Sequence, residues 1–219
     1  MEHLPSYLPS YLPSVGLILL ALLAGVLSPG PSFVQVARIA VARSRADGLA
    51  AAVGMGLGAT AIAAMALAGL HAVLAAVPAL YMALKLLGGA YLLWMAWNIW
   101  RGAREALPLE AAGGEAARRS VAKSFRLGLT TQLSNPKCAV VYGSVFAALL
   151  PTHFPLAASL MVLAGVFVME AGWYAIVALV LSSAAPRAAY LRSKALVDRT
   201  AAGVMGLLGG RLVVTAAVA

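Results

Sequence analysis

The segment Leu27-Ser28-Pro29-Gly30-Pro31-Ser32 lies inside an apolar stretch that would otherwise read as one membrane-spanning helix. Proline has no amide hydrogen and its ring clashes with the preceding turn, so two prolines around a glycine break the helix at this point. In hydrocarbon, the freed N–H and C=O groups are costly unless protein or a water-filled cavity satisfies them. A second interruption, Leu133-Ser134-Asn135-Pro136-Lys137, sits inside another apolar stretch in the second half of the chain. Interruptions at corresponding points of two halves are a mark of secondary transporters, whose site lies near the bilayer midplane. The alternative is a pair of ordinary proline kinks in packed helices.

The chain is 63% hydrophobic and 11% charged, whereas soluble domains carry about 25% charged residues. An integral membrane protein follows. Its apolar runs are long and continuous, which points to helices and not to the short alternating strands of a barrel. A net charge of +9 in a soluble protein would suggest nucleic acid. Here the basic residues gather in the connections, so they orient the chain and no nucleic-acid partner is expected. The single Cys138 excludes an intrachain disulfide and a multi-cysteine metal site.

Six spans are predicted, at about 15–41, 49–76, 79–100, 125–150, 156–181 and 200–219. Residues 1–14 hold the uncharged repeat LPSYLPSYLPS. Its prolines disfavour a helix and its tyrosines suit the membrane–water interface, so it is either an interfacial anchor or a dispensable leader. It lacks the basic start and cleavage site of a typical signal peptide. Residues 15–100 form a first three-helix repeat, 101–124 a hydrophilic basic linker, and 125–219 a second three-helix repeat. Three is an odd number, so the second repeat enters from the opposite face and the two are inverted. The expected fold is all-α with six membrane helices, of which helices 1 and 4 are broken near the midplane.

Arg38, Arg43 and Arg45 follow the first span; Arg101, Arg104, Arg118, Arg119, Lys123 and Arg126 follow the third; Arg187, Arg192, Lys194 and Arg199 follow the fifth. The N-terminal segment and the other two connections hold no lysine or arginine. Basic connections face the cytoplasm, which puts both termini outside.

Ionisable residues within spans are expensive and are functional candidates by default. Lys137 sits in the second interruption itself, and Glu170 is the one acidic residue inside any predicted span. Glu170 is the natural counter-ion for Lys137, Lys85 or Arg211, and the natural proton carrier, because burial and a nearby cation act on a carboxyl in opposite directions. The alternative for Glu170 is a static ion pair that fixes helix packing. Lys85 and Arg211 could instead snorkel to the interface.

A substrate with both an ammonium and a carboxylate suits this set. Half-helix starts behind Pro31 and Pro136 offer N–H groups to a carboxylate, and freed carbonyls near Ser28 and Ser134, with Glu170, suit an ammonium. Gln35, Asn98, Gln132 and Asn135 add neutral contacts or bridge helices. Gly54 with Gly58, and Gly206 with Gly210, form small faces for close helix packing. Trp94, Trp97 and Trp100 share one helical face and read as packing plus an interfacial belt, or else as an aromatic cage. His3, His71 and His153 lack metal-ligand spacing, and no nucleotide-binding glycine pattern is present, so neither metal nor cofactor is expected.

The Ser-Pro-Gly-Pro break, the Lys-Leu-Leu-Gly-Gly-Ala-Tyr-Leu-Leu-Trp run at 85–94, and the stretch Gly128 to Tyr142 with Gln-Leu-Ser-Asn-Pro-Lys together resemble the lysine-exporter (LysE/RhtB) family. The resemblance covers nearly the whole chain after residue 14. It implies an exporter of amino acids or close derivatives in the bacterial inner membrane, driven by the proton motive force. Its partners would be the amino acid, protons, membrane lipid and a possible second copy of the chain. The family residues carry over to Pro29, Gly30, Pro31, Lys85, Gly88, Gly89, Asn135, Pro136, Lys137 and Glu170. The family often has Asn or Asp after Pro-Gly-Pro, where this chain has Ser32, so substrate preference does not carry over. A non-transporting membrane scaffold, and an exporter of another solute or a metal ion, are the competing readings.

Overall fold

A computed structural model describes residues 8–42, 44–76, 78–105, 121–151, 153–182 and 184–217, as eight helices and no strand. The first residues of the N-terminal repeat with His3, and Arg43, Glu110, Glu115, Arg118 and Arg119, lie outside them, as do the side chains of His71 and Arg187. The first interruption separates α1 (Leu8–Leu27) from α2 (Pro31–Ala42), and the two axes meet at 61°. The second separates α5 (Val121–Leu133) from α6 (Pro136–Leu149). Pro31 and Pro136 each open their helix, where a missing amide hydrogen and a fixed φ cost nothing. The remaining helices are α3 (Arg45–Ala76), α4 (Pro78–Gly102), α7 (Leu156–Leu181) and α8 (Ala184–Ala217).

Among the described residues, Arg45–Gly69, Leu156–Leu181 and Arg192–Ala217 are each long and apolar enough to cross a membrane, and α1 with α2 is apolar enough to make a fourth, broken span or a re-entrant loop. The two other apolar stretches of the sequence are α4 and the α5–α6 pair. Leu207, Leu156 and Leu87 are 78%, 74% and 70% exposed. So much outward leucine suits lipid and not water. Trp94, Trp97 and Trp100 also face outward, and the Arg101 and Arg199 guanidinium groups lie 5.8 and 5.6 Å from the Trp97 and Trp100 rings. The stripe is therefore an outer belt and not a cage around a ligand.

Two boundaries differ most from the sequence expectation. Helix α1 begins at Leu8, within the proline repeat. Pro9 falls in the first turn, where proline is tolerated, and Tyr11 packs edge-on against Phe154 with ring centroids 6.0 Å apart. Helix α8 begins well before Thr200, because its charged first half is held to α4. The buried Lys194 ammonium donates to Asp198 Oδ2 at 2.8 Å and, at and just past the end of α4, to the carbonyls of Gly102 and Ala103 at 3.0 and 3.3 Å. A cation at a helix C-terminus also meets the negative end of the helix dipole.

Helix α3 packs against both α5 and α7. Its approach to α5 is backbone on backbone: a Cβ on Gly54 would run into the Phe125 carbonyl, and one on Gly128 into the Ala51 carbonyl. Gly58 faces Gln132, so the predicted Gly54–Gly58 face does serve close packing. The α4–α8 crossing differs. Gly89 and Gly209 make it, each 2.8–2.9 Å from the other's carbonyl oxygen when a Cβ is built, whereas Gly210 has nothing within 4 Å.

Asp47 closes the basic end of α3. It accepts from Ser44 Oγ at 2.6 Å and from the buried Ser124 Oγ of α5 at 2.7 Å, while its own N–H donates to Ser44 Oγ at 3.0 Å. This cap satisfies one first-turn donor, the Asp47 amide, and places a negative charge at the helix start. Asp47→Ala removes the carboxylate that accepts from Ser44 and Ser124 and the negative charge at the helix start, at a cost of about 1–3 kcal/mol. The expected result is a lower melting temperature in detergent, with Asp47→Asn losing less.

Candidate functional site

The site is built from the two interruptions. At the second, Asn135 caps α6: its Oδ1 accepts from the Lys137 amide at 3.0 Å, with extended backbone at φ −85°. Pro136 fixes the next turn, and Lys137 is thereby aimed back across Gly30 at the first interruption, where its Nζ donates to the Ser28 carbonyl at 3.0 Å. That carbonyl is one of the groups the proline break frees, so one half of the chain satisfies the broken backbone of the other. A second bridge runs beside it, from Asn135 Nδ2 to Ser32 Oγ at 2.9 Å.

Glu170 of α7 lies behind these bridges, 2% exposed. Tyr142 OH donates to its Oε1 at 2.6 Å and Gln132 Nε2 to its Oε2 at 3.2 Å. The amide of Gln132 spans the centre: its Oε1 accepts from Ser32 Oγ, and its Nε2 also lies 3.4 Å from Cys138 Sγ. Both oxygens of the carboxyl thus have donors, as a buried carboxylate requires. Ser28 Oγ is the exception: it is buried and has no hydrogen-bond partner.

These groups enclose a cavity of about 30 Å³. Its polar lining is Ser28, Ser32, Gln132, Asn135, Lys137, Tyr142, Glu170 and Tyr174, and its apolar lining includes Leu22, Val26 and Val141. One amine and one carboxyl face it, with hydroxyl and amide groups between them. That set is chemically complementary to a small zwitterion, and its carboxyl is a group that can take up or release a proton.

Of the residues singled out in the sequence, Ser28, Gly30, Gln132, Asn135, Lys137 and Glu170 line this cavity, and Pro29, Pro31 and Pro136 shape the turns that border it. Gln35 is partly buried on α2 and does not line it. Lys85 on α4 and Arg211 on α8 do not line it either. Asn98 donates to the Trp94 carbonyl of its own helix at 2.9 Å. Tyr142 and Tyr174 were not singled out. Their signal was spacing: Tyr142 stands four residues after Cys138, and Tyr174 four after Glu170, each pair on one helical face.

Residues 23–216 match the family described as LysE type translocator. The chain is 30% identical over 193 residues to a threonine efflux protein of Salmonella typhi, covering 88% of this chain and 94% of that one. It is 29% identical over the same length to the threonine efflux protein of Escherichia coli K12, with the same coverage. A leucine efflux protein of Enterobacter sp. 638 is 27% identical over 185 residues, 84% of this chain and 85% of the relative. No solved structure matches it significantly. The match spans both interruptions and every residue of the cavity except Leu22, and on that ground the chain belongs to the LysE type translocator family.

Proposed function

We propose that the protein is a secondary active exporter of amino acids, working as a proton antiporter by alternating access in the bacterial inner membrane. The observation that carries this reading is the meeting of two helix interruptions, one from each half of the chain, around a cavity with one amine and one carboxyl. The substrate carboxylate takes Lys137 at the start of α6, where the helix dipole favours an anion. Its ammonium takes the Ser28 carbonyl that Lys137 now holds. The unpartnered Ser28 hydroxyl supplies one more polar contact. Relatives that are threonine and leucine efflux proteins support neutral substrates, and the hydroxyl-rich lining favours a small hydroxylated one such as threonine.

A water needs about 10–15 Å³ of such space, so the cavity has room for about two waters and not for an amino acid. In this scheme the structure stands for a form in which the site is collapsed. Loading from the cytoplasm parts the Lys137–Ser28 and Asn135–Ser32 bridges. Glu170 then takes a proton from the outer side and gives it to the inner side as substrate moves outward. Six crossings in two inverted halves suit this cycle. In support, α3 faces α7 and α4 faces α8, and α2 touches α7 as α6 touches α3. Lys85 and Arg211 receive no substrate contact in this scheme.

Cells preloaded with a panel of amino acids and dipeptides test it. Threonine-like substrates leave faster than from empty-vector cells, and a protonophore abolishes the difference. No faster efflux of any panel member, with the protein present in the membrane, overturns the reading in favour of a scaffold or another solute.

A further inference from the structure

We infer that Gln132 is the positioning residue through which the protonation of Glu170 controls the bridge between the two interruptions; the inference rests on the proton-coupled reading above. A continuous chain of hydrogen bonds joins the two places. Gln132 Nε2 donates to Glu170 Oε2, Ser32 Oγ donates to Gln132 Oε1, Asn135 Nδ2 donates to Ser32 Oγ, and the Lys137 amide donates to Asn135 Oδ1. The chain runs from α7 through the end of α5 and the start of α2 to the cap of α6. All of its side chains are buried.

The direction of every bond follows from the first. A carboxylate only accepts, so it holds the amide of Gln132 with its NH2 group inward and its oxygen toward Ser32. Ser32 has a single hydrogen, which goes to that oxygen and leaves its lone pairs for Asn135. Protonated Glu170 needs an acceptor for its new O–H. Gln132 meets this need by turning its amide over. Its NH2 group then faces Ser32, which has donors on both sides, and the Ser32 hydrogen must turn to the Tyr174 hydroxyl beside it. That turn carries the Ser32 lone pairs off the line of Asn135 Nδ2, and a hydrogen bond weakens steeply off line, so the Ser32–Asn135 bridge is destabilised. Uptake of a proton at Glu170 is in this way read at the contact that closes the cavity.

The ionisable groups facing Glu170 in the cavity are Lys137, Cys138 and Tyr142 of α6 and Tyr174 of its own helix. Helices α1 and α2 present serines, glycines and apolar side chains, and α3 and α8, which also pack on α7, add nothing to the lining. Tyr142 is the one rival acceptor in hydrogen-bond contact with the carboxyl, at Oε1.

The test uses the full-length protein in proteoliposomes. Threonine exchange is measured at equal pH on both sides, and efflux is measured again under an imposed pH gradient. The readout is the ratio of the two fluxes. Gln132→Met keeps the side-chain length and removes both hydrogen bonds; Ser32→Ala breaks the chain one link further and leaves the Gln132–Glu170 bond in place. Both variants are expected to lower the ratio by about tenfold, within the range of a single coupling energy, while Tyr142→Phe retains most of it. A packing role would lower exchange and gradient-driven efflux together and leave the ratio alone. An unchanged ratio in Gln132→Met or Ser32→Ala overturns the inference, as does loss of the ratio in Tyr142→Phe alone. A wild-type protein that exchanges threonine but ignores the gradient, or exchanges nothing, removes the reading beneath it instead.

Discussion

Lys137→Ala is expected to reach the membrane and to lose net export of amino acid. The substitution removes the one amine that faces the cavity and empties the 3.0 Å contact with the Ser28 carbonyl. A hydrogen bond to a charged group contributes about 1.5–3 kcal/mol, so a substrate carboxylate deprived of Lys137 binds about 10- to 100-fold more weakly. Lys137→Arg keeps the charge but carries a planar, larger head in a confined space, and recovers only part of the flux. Efflux from preloaded cells, normalised to the amount of protein in the membrane, measures this. Wild-type flux from Lys137→Ala at equal abundance would remove Lys137 from the site.

Gly128→Leu is expected to act on assembly and not on transport as such. The crossing of α3 and α5 is so close that the first carbon of any side chain at Gly128 overlaps the Ala51 backbone. Backbone cannot rotate aside as a flexible side chain can, so the helices must separate. Overpacking typically costs about 1–3 kcal/mol and sometimes more, and this site belongs at the upper end. The amount of folded protein extracted from membranes should fall several-fold. Gly143→Ala, at a helical glycine with nothing within 4 Å, should instead be neutral or gain about 0.5–1 kcal/mol of helix stability. Equal yields from Gly128→Leu and wild type would contradict the crossing.

The helices and their interruptions were legible in the sequence for reasons that act locally. Proline removes an amide hydrogen wherever it stands, so Pro29, Pro31 and Pro136 announced their breaks without any tertiary information. Leu156–Leu181 could be bounded to the residue, because Pro155 precedes it and a serine pair follows. The start of α8 was not legible: Lys194 and Asp198 look like a solvated charged face until α4 supplies the carbonyls of Gly102 and Ala103. Lys137 and Glu170 stood out as charges in apolar stretches, but their partners did not. Lys137 ends on a backbone carbonyl and Glu170 on a phenol and an amide, and neutral groups carry no mark in sequence that distinguishes a site from packing. Gln132 was one polar residue among several; only the fold shows that its two ends reach Ser32 and Glu170.

Cys138 offers the most direct test of where the substrate sits. It is the chain's one cysteine, it is buried, and it lines the cavity between the two interruptions. The measurement is the rate at which a small membrane-permeant thiol reagent modifies Cys138 in the otherwise unaltered protein, with increasing threonine and with an amino acid the protein does not export. Threonine is expected to slow modification in a saturable way, at concentrations matching those that saturate efflux, and the non-substrate to leave the rate unchanged. Modification that is indifferent to saturating concentrations of an exported amino acid would contradict a substrate site between the two breaks.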